Sequence, residues 1–115
     1  MQTTDVRALD AGTFEAAVLR SPGPVLVEFS ADWCPPCRMM EPVIAQLAAT
    51  HGDRLMVGRL DVDRDNEISV QYGVMSMPTL ILFADGEPVD RMVGFTNAGH
   101  IRRWVEAAVL ALEEG

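Results

Sequence analysis

The sequence predicts an α/β fold, a mixed sheet covered by helices. Three observations point to it. Apolar runs of strand length alternate with segments of helical periodicity along the chain. One strand, Thr79–Phe83, runs into an Asp85-Gly86 turn and a second strand, so one neighbouring pair is antiparallel. The only two cysteines, Cys34 and Cys37, stand three positions apart between a β-forming run and a helical pattern.

The elements follow in order. Val6 to Leu9 reads as a short first strand. Asp10 is placed to cap a helix with Phe14, Ala17, Val18 and Leu19 at helical spacing, and Ser21-Pro22-Gly23-Pro24 stops it. Val25 to Ser30 is apolar on both faces apart from Glu28, as a central parallel strand is. A helix from Cys34 to Thr50 carries Met40, Val43, Ile44, Leu47 and Ala48 on one stripe. Pro42 falls inside it, with the loss of one i→i−4 bond and an expected kink. His51-Gly52-Asp53 ends that helix, Leu55 to Val62 forms the next strand, and Glu67 to Tyr72 a short helix. After the hairpin strand Glu87 to Val93, Thr96 is expected to cap a last helix with Ile101, Trp104, Val105 and Ala108 facing inward. The order is β-α-β-α-β-α-β-β-α. It contains no repeat or linker, so residues 1–115 read as a single domain.

Composition narrows the function. The net charge is −8, and every one of the nine basic residues is Arg. An acidic chain without a basic cluster argues against nucleic acid and anionic membrane as partners. The first residues, Met1 to Arg7, lack an apolar stretch of leader length, and no segment approaches the roughly 20 apolar residues of a membrane span. The expectation is a cytoplasmic monomer. In that compartment a lone C-x-x-C points to redox chemistry rather than a structural bridge.

The chemistry of the pair follows from its place. Only a thiolate attacks a disulfide, and a helix N-terminus stabilises negative charge on the first sulfur. Cys34 is therefore expected to be the exposed nucleophile. Pro36 suits the first helical turn, where its missing N–H costs nothing, and Pro35 removes a second donor. The Cys37 N–H is left to bond the Cys34 sulfur. Metal binding is the other use of paired thiols. His51 and His100, the only histidines, fit no finger spacing, so no metal site is expected. Asp61, Asp63 and Asp65 alternate without the glycine or distal glutamate of a calcium loop, and read as a solvated strand end.

Val25-Leu26-Val27-Glu28-Phe29-Ser30-Ala31-Asp32-Trp33-Cys34, Cys37 followed by Pro42, and Asp61-Val62-Asp63 form a recognisable series. Tyr72-Gly73-Val74, Met77-Pro78-Thr79, Asp85-Gly86 and Val93-Gly94 continue it. In these residues the chain resembles the thioredoxin family over roughly Val6 to Leu112. The resemblance implies the thioredoxin fold, a mixed five-stranded central sheet flanked by four helices. It implies Cys34 as attacking and Cys37 as resolving thiol, and a cis bond between Met77 and Pro78 beside them. It also implies protein disulfide substrates, regeneration by a thioredoxin reductase, and no cofactor beyond the Cys34–Cys37 disulfide itself.

Three positions depart from the family pattern. Pro35-Pro36 replaces the usual Gly-Pro between the cysteines, Glu28 stands where the buried carboxylate is usually Asp, and Arg59 stands where its partner is usually Lys. Arg stays charged at any workable pH, so an Arg59–Glu28 pair is expected to hold Glu28 ionised. Glu28 is expected to take the proton of Cys37, with the need greatest below neutral pH. Trp33, Pro35, Pro36, Met77, Pro78 and Gly94 are the expected substrate-binding surface, with Met75 and Phe95 on the same apolar rim and Met77 offering its backbone to the substrate.

The reading is a protein-disulfide reductase working by dithiol–disulfide exchange. A thiol oxidase or disulfide isomerase of the same fold is the enzymatic alternative, which Glu28 favours. A dipeptide without His opposes it. Pro-Pro also occurs in membrane-tethered thioredoxin-like proteins, but the 41 positions from Cys37 to Pro78 leave no room for their central insert. A non-catalytic co-chaperone that binds through the apolar rim is the third reading, and the paired cysteines oppose it.

Overall fold

The computed structural model describes residues 5–114. The readings that involve residues 1–4 and 115, the expected lack of a leader stretch and the outer limits of the domain, lie outside the described residues. The elements are β1 (Arg7–Leu9), a π-helical segment (Glu15–Leu19), β2 (Val25–Ser30), α1 (Pro35–His51), β3 (Met56–Asp61), α2 (Asn66–Gln71), β4 (Thr79–Ala84), β5 (Glu87–Val93) and α3 (Ala98–Glu114). Their order is the one read from the sequence, and the boundaries move by a residue or two.

The sheet has five strands in the order β1-β3-β2-β4-β5. β3 is parallel to both β1 and β2, whereas β4 is antiparallel to β2 and to β5. Every residue of β2 is buried, in agreement with its central place and its nearly unbroken apolar run. The β4–β5 turn works because Asp85 and Gly86 both take positive φ, 52° and 79°, the left-handed pair that a two-residue hairpin of this hand requires. Register slips once, between Leu82 and Phe83, and Pro88 sits there on the edge strand, where its missing N–H breaks no ladder.

Alternation along β2 divides the core in two. Val25, Val27 and Phe29 face the π-helical segment and α2, with Phe14, Val18, Ile68, Ile81 and Phe83 around them. Phe83 anchors this side, edge-on to Phe14 at 5.8 Å and to Tyr72 at 5.2 Å between ring centroids. Leu26 faces the other way, into a layer made by Met40, Ile44 and Leu47 of α1 and Ile101, Val105 and Val109 of α3. Pro42 lies within α1, whose helical span continues from Pro35 to His51.

Two local expectations change. Asp10 does receive the Thr13 N–H on its carboxylate at 3.0 Å, but the helix that follows is a single π turn closed by the Arg20 N–H on the Glu15 carbonyl at 3.0 Å. Ahead of that turn the Phe14 and Ala17 N–H groups bond the Asp10 and Thr13 carbonyls, each at 2.9 Å in the α pattern, and the turn then widens before the Pro22–Pro24 stop. At the other end Asn97, not Thr96, caps α3: its side-chain oxygen accepts the His100 N–H at 2.8 Å. Asn is the stronger cap of the two and stands directly before Ala98.

Candidate active site

The C-terminal end of β2 delivers the chain to the start of α1, at the carboxyl edge of the parallel strands where open α/β sheets place their sites. The Cys34 N–H closes the turn on the Ala31 carbonyl at 3.3 Å. Cys34 is extended, at φ −97° and ψ 108°, and caps α1 with its sulfur: the Cys37 N–H points to Cys34 Sγ at 3.3 Å. Pro35 and Pro36 occupy the first two helical positions. The two cysteines form a disulfide with their Cα atoms 5.2 Å apart.

From the far side β4 brings Met77-Pro78, whose peptide bond is cis. The Met77 carbonyl oxygen lies 3.6 Å from Cys34 Sγ. Pro78 is buried, and its carbonyl accepts the Gly94 N–H at 2.8 Å, so Gly94, at φ 83°, is tied to the same corner. The structure therefore brings Cys34, Cys37, Met77, Pro78 and Gly94 together.

Exposure is distributed differently from the expectation. Cys34 is only 3% exposed and Cys37 is fully buried. Both belong to the apolar layer under β2, and it is Trp33, Pro35 and Pro36 that meet solvent around them. Trp33 is 62% exposed, yet it is held: its indole N–H donates to Asp63 Oδ2 at 2.6 Å. Met75 is 93% exposed, whereas Phe95 packs into the α1–α3 layer. Trp104 packs there as well, with its N–H on Asp90 at 2.9 Å.

The three aspartates after β3 are not a passive solvated end. Asp61 takes the Asp63 N–H at 2.9 Å, Asp63 holds Trp33, and Asp65 takes the Ala11 N–H at 3.1 Å. Strand register is the signal that could have found Asp63. Ser30 pairs with Asp61, so the residues just beyond each strand, Trp33 and Asp63, emerge side by side.

On β2, Glu28 is 1% exposed, and among the described residues neither carboxylate oxygen has a hydrogen-bond partner. Arg59 stands opposite it in the β2–β3 register, with Nε 3.8 Å from Glu28 Oε1. The other end of that guanidinium is engaged elsewhere: Nη2 lies 3.2 Å from Glu41 Oε1 on α1 and donates to Ser30 Oγ at 3.1 Å. Burial therefore dominates. It pushes the Glu28 carboxyl up to about 7, against the pull of Arg59 and with a further push from the Glu41 charge. Arg59 favours the ionised form of Glu28, in the direction expected, but it is shared with Glu41 and Ser30 and burial outweighs it. Glu41 and Ser30 were missed in the sequence. Helical spacing alone places Glu41 one turn beyond Cys37, over the strand that carries Glu28.

The thioredoxin family model matches residues 5–107. The chain belongs to the thioredoxin family. It is 47% identical to thioredoxin of Mycolicibacterium smegmatis over 104 residues, which cover 89% of this chain and 93% of that one. It is 51% identical to thioredoxin of Alicyclobacillus acidocaldarius over 72 residues, 63% of this chain and 69% of the relative. A bifunctional thioredoxin reductase/thioredoxin of Mycobacterium leprae is 46% identical over 89 residues, 77% of this chain and 19% of that protein. With its paired cysteines at the head of α1, the protein is a thiol–disulfide oxidoreductase with protein-disulfide reductase function, and its redox group is the Cys34–Cys37 disulfide.

Proposed function

We propose that Cys34 is the attacking thiol, Cys37 the resolving thiol and Glu28 the proton acceptor of a reductase supplied with electrons by a thioredoxin reductase. The single observation that carries the assignment is the cap of α1: the Cys37 N–H and the helix N-terminus converge on the Cys34 sulfur. The Cys34 thiolate attacks one sulfur of a substrate disulfide. A mixed disulfide forms, and the first substrate thiolate leaves and takes a proton from water. Cys37 gives its proton to the Glu28 carboxylate and attacks Cys34 Sγ. The new Cys34–Cys37 bond expels the second substrate thiolate, and two electrons have passed from the dithiol to the substrate.

Trp33, Pro35, Pro36, Met77, Pro78 and Gly94 form the substrate surface, with the Met77 carbonyl beside the sulfur available to an extended substrate backbone. Arg59 acts behind it through Glu28. The reading is of one domain over residues 1–115, monomeric and cytoplasmic, with no membrane or nucleic-acid partner. Among the described residues no helix is long and apolar enough to cross a membrane.

Insulin reduction, driven by a thioredoxin reductase with NADPH or by dithiothreitol, tests the assignment. Turnover with both electron sources is expected, and failure with both overturns it. The reduction potential separates reductase from oxidase. Beside Cys34 Sγ the described donor is the Cys37 N–H, and the Arg38 guanidinium is bonded to the Asp32 carbonyl at 3.0 Å. A potential near the thioredoxin value of about −270 mV is expected, not the roughly −180 mV of an isomerase.

A further inference from the structure

Arg59 joins two carboxylates of unequal standing. Glu28, on β2, is buried and, among the described residues, without a hydrogen bond, whereas Glu41, on α1, is half exposed. The guanidinium turns its Nη2 to the exposed one at 3.2 Å and leaves the buried one only Nε at 3.8 Å. Ser30 Oγ, at 3.1 Å from the same Nη2, fixes that tilt. A cavity of about 240 Å³ lined by Val6, Glu28, Glu41, Ile44 and Arg59 opens this trio to solvent.

We propose that Glu41 is a positioning residue for the exchange reaction: by pairing with Arg59 it holds the guanidinium off Glu28 and leaves that carboxyl free to take up and release a proton through the cavity. The charged groups acting on Glu28 are Arg59 from β3 and Glu41 from α1. β4 faces it with Leu80, and Val6, before β1, and Ile44 of α1 complete the apolar wall. If Arg59 closed fully on Glu28, the pair would behave as a fixed ion pair, ionised at every working pH and a poor acceptor for a thiol proton. Glu41 prevents this in two ways of the same sign. It competes for the cation, and its own charge repels a second negative charge on Glu28.

The inference rests on Glu28 as proton acceptor for its functional meaning, but its test does not need turnover. Carbon NMR of protein labelled at glutamate Cδ follows Glu28 through a pH titration in the full chain. Glu41→Ala is expected to lower the Glu28 midpoint by about one unit, a tenfold loss of proton affinity, as Arg59 swings inward. Glu41→Gln, which keeps an acceptor for Arg59 without the charge, falls between. Arg59→Gln moves the midpoint the other way. An unchanged midpoint in Glu41→Ala overturns the inference. If that midpoint falls while the pH profile of insulin reduction stays put, the positioning stands and the assignment of Glu28 as acceptor fails. Should Arg59→Gln not fold, the half-exposed Glu41 variants still decide the question.

Discussion

The sulfur loop and the carboxylate trio behind it lie on consecutive stretches of the same chain but are built on opposite rules. Around Cys34 the partners are backbone groups: the Cys37 N–H, the Met77 carbonyl, and the Gly94–Pro78 bond that ties down the corner. Backbone groups keep their charge at all pH values, so this half of the site is fixed. Around Glu28 the partners are side chains from β3 and α1, the carboxylate oxygens are unsatisfied, and the balance of charges depends on which way Arg59 leans. In the proposed mechanism the first region sets which atom attacks, and the second sets the pH at which the attack is completed.

The sharpest break between the two comes from the cysteines. Cys34→Ser is expected to reduce insulin reduction to the uncatalysed background, whereas Cys37→Ser is expected to retain attack and accumulate mixed disulfides with substrate. In the reduced protein iodoacetamide at neutral pH should label Cys34 first, because that sulfur receives the Cys37 N–H at the helix cap and Cys37 is fully buried. Labelling of Cys37 ahead of Cys34 would reverse the roles.

Removing the proposed acceptor is expected to have a smaller effect, one that depends on pH. Glu28→Gln is expected to slow the resolving step at pH 8 by about tenfold or more, within the range of general-base contributions. Because wild-type Glu28 carries its own proton below about 7, the gap between the proteins should narrow at pH 6. The burial of Glu28 thus reverses the pH dependence expected from the sequence alone. A ratio of rates that stays flat from pH 6 to 8, by stopped-flow, would reduce Glu28 to a structural residue.

The same substitution changes stability with a definite sign. The carboxyl titrates near 4.5 when unfolded and about 7 when folded, so the native state binds the proton more tightly. Stability from this group is complete below pH 4.5 and is lost as the pH rises through 7. That loss is on the order of 3 kcal/mol. Glu28→Gln does not carry the penalty, and Arg59 keeps Glu41 and Ser30 as partners. Urea denaturation should find the variant more stable than wild type at pH 8, with the gain vanishing near pH 4.5. A variant less stable than wild type at pH 8 would mean that Arg59 depends on Glu28 after all.

The two regions also differ in how far they can be read from the chain. Trp33 to Cys37 is legible because local rules govern it: a helix cap needs its donor at Cys37, and the Pro35-Pro36 pair suits the first helical turn; the cis Met77-Pro78 bond is legible only through the family resemblance. The element order is legible for the same reason, since periodicity and the Asp85-Gly86 turn are local. The tilt of Arg59 is not, because it results from a contest between Glu28, Glu41 and Ser30 on different elements. Cys34 read as exposed because reactivity suggested it, but packing places its sulfur in the layer under β2. Asn97 displaced Thr96 as cap by one position, a boundary that propensity does not resolve.

The smallest expected effect tests whether the fixed region also depends on a side chain. Trp33 is the most exposed aromatic beside the disulfide, and its bond to Asp63 at 2.6 Å restrains the indole over the substrate surface. Asp63→Asn keeps the size of the residue and removes the charge, so the bond weakens without a cavity forming. Such an exposed hydrogen bond is worth roughly 0.5–1.5 kcal/mol, so KM for a protein disulfide should rise by about threefold with kcat unchanged. Trp33 fluorescence should also become less sensitive to oxidation of the pair, as the ring spends less time near the sulfurs. Equal kinetics and equal fluorescence in Asp63→Asn would show that backbone geometry alone orients the rim. The contrast between a fixed sulfur loop and an adjustable carboxylate trio would then hold without exception.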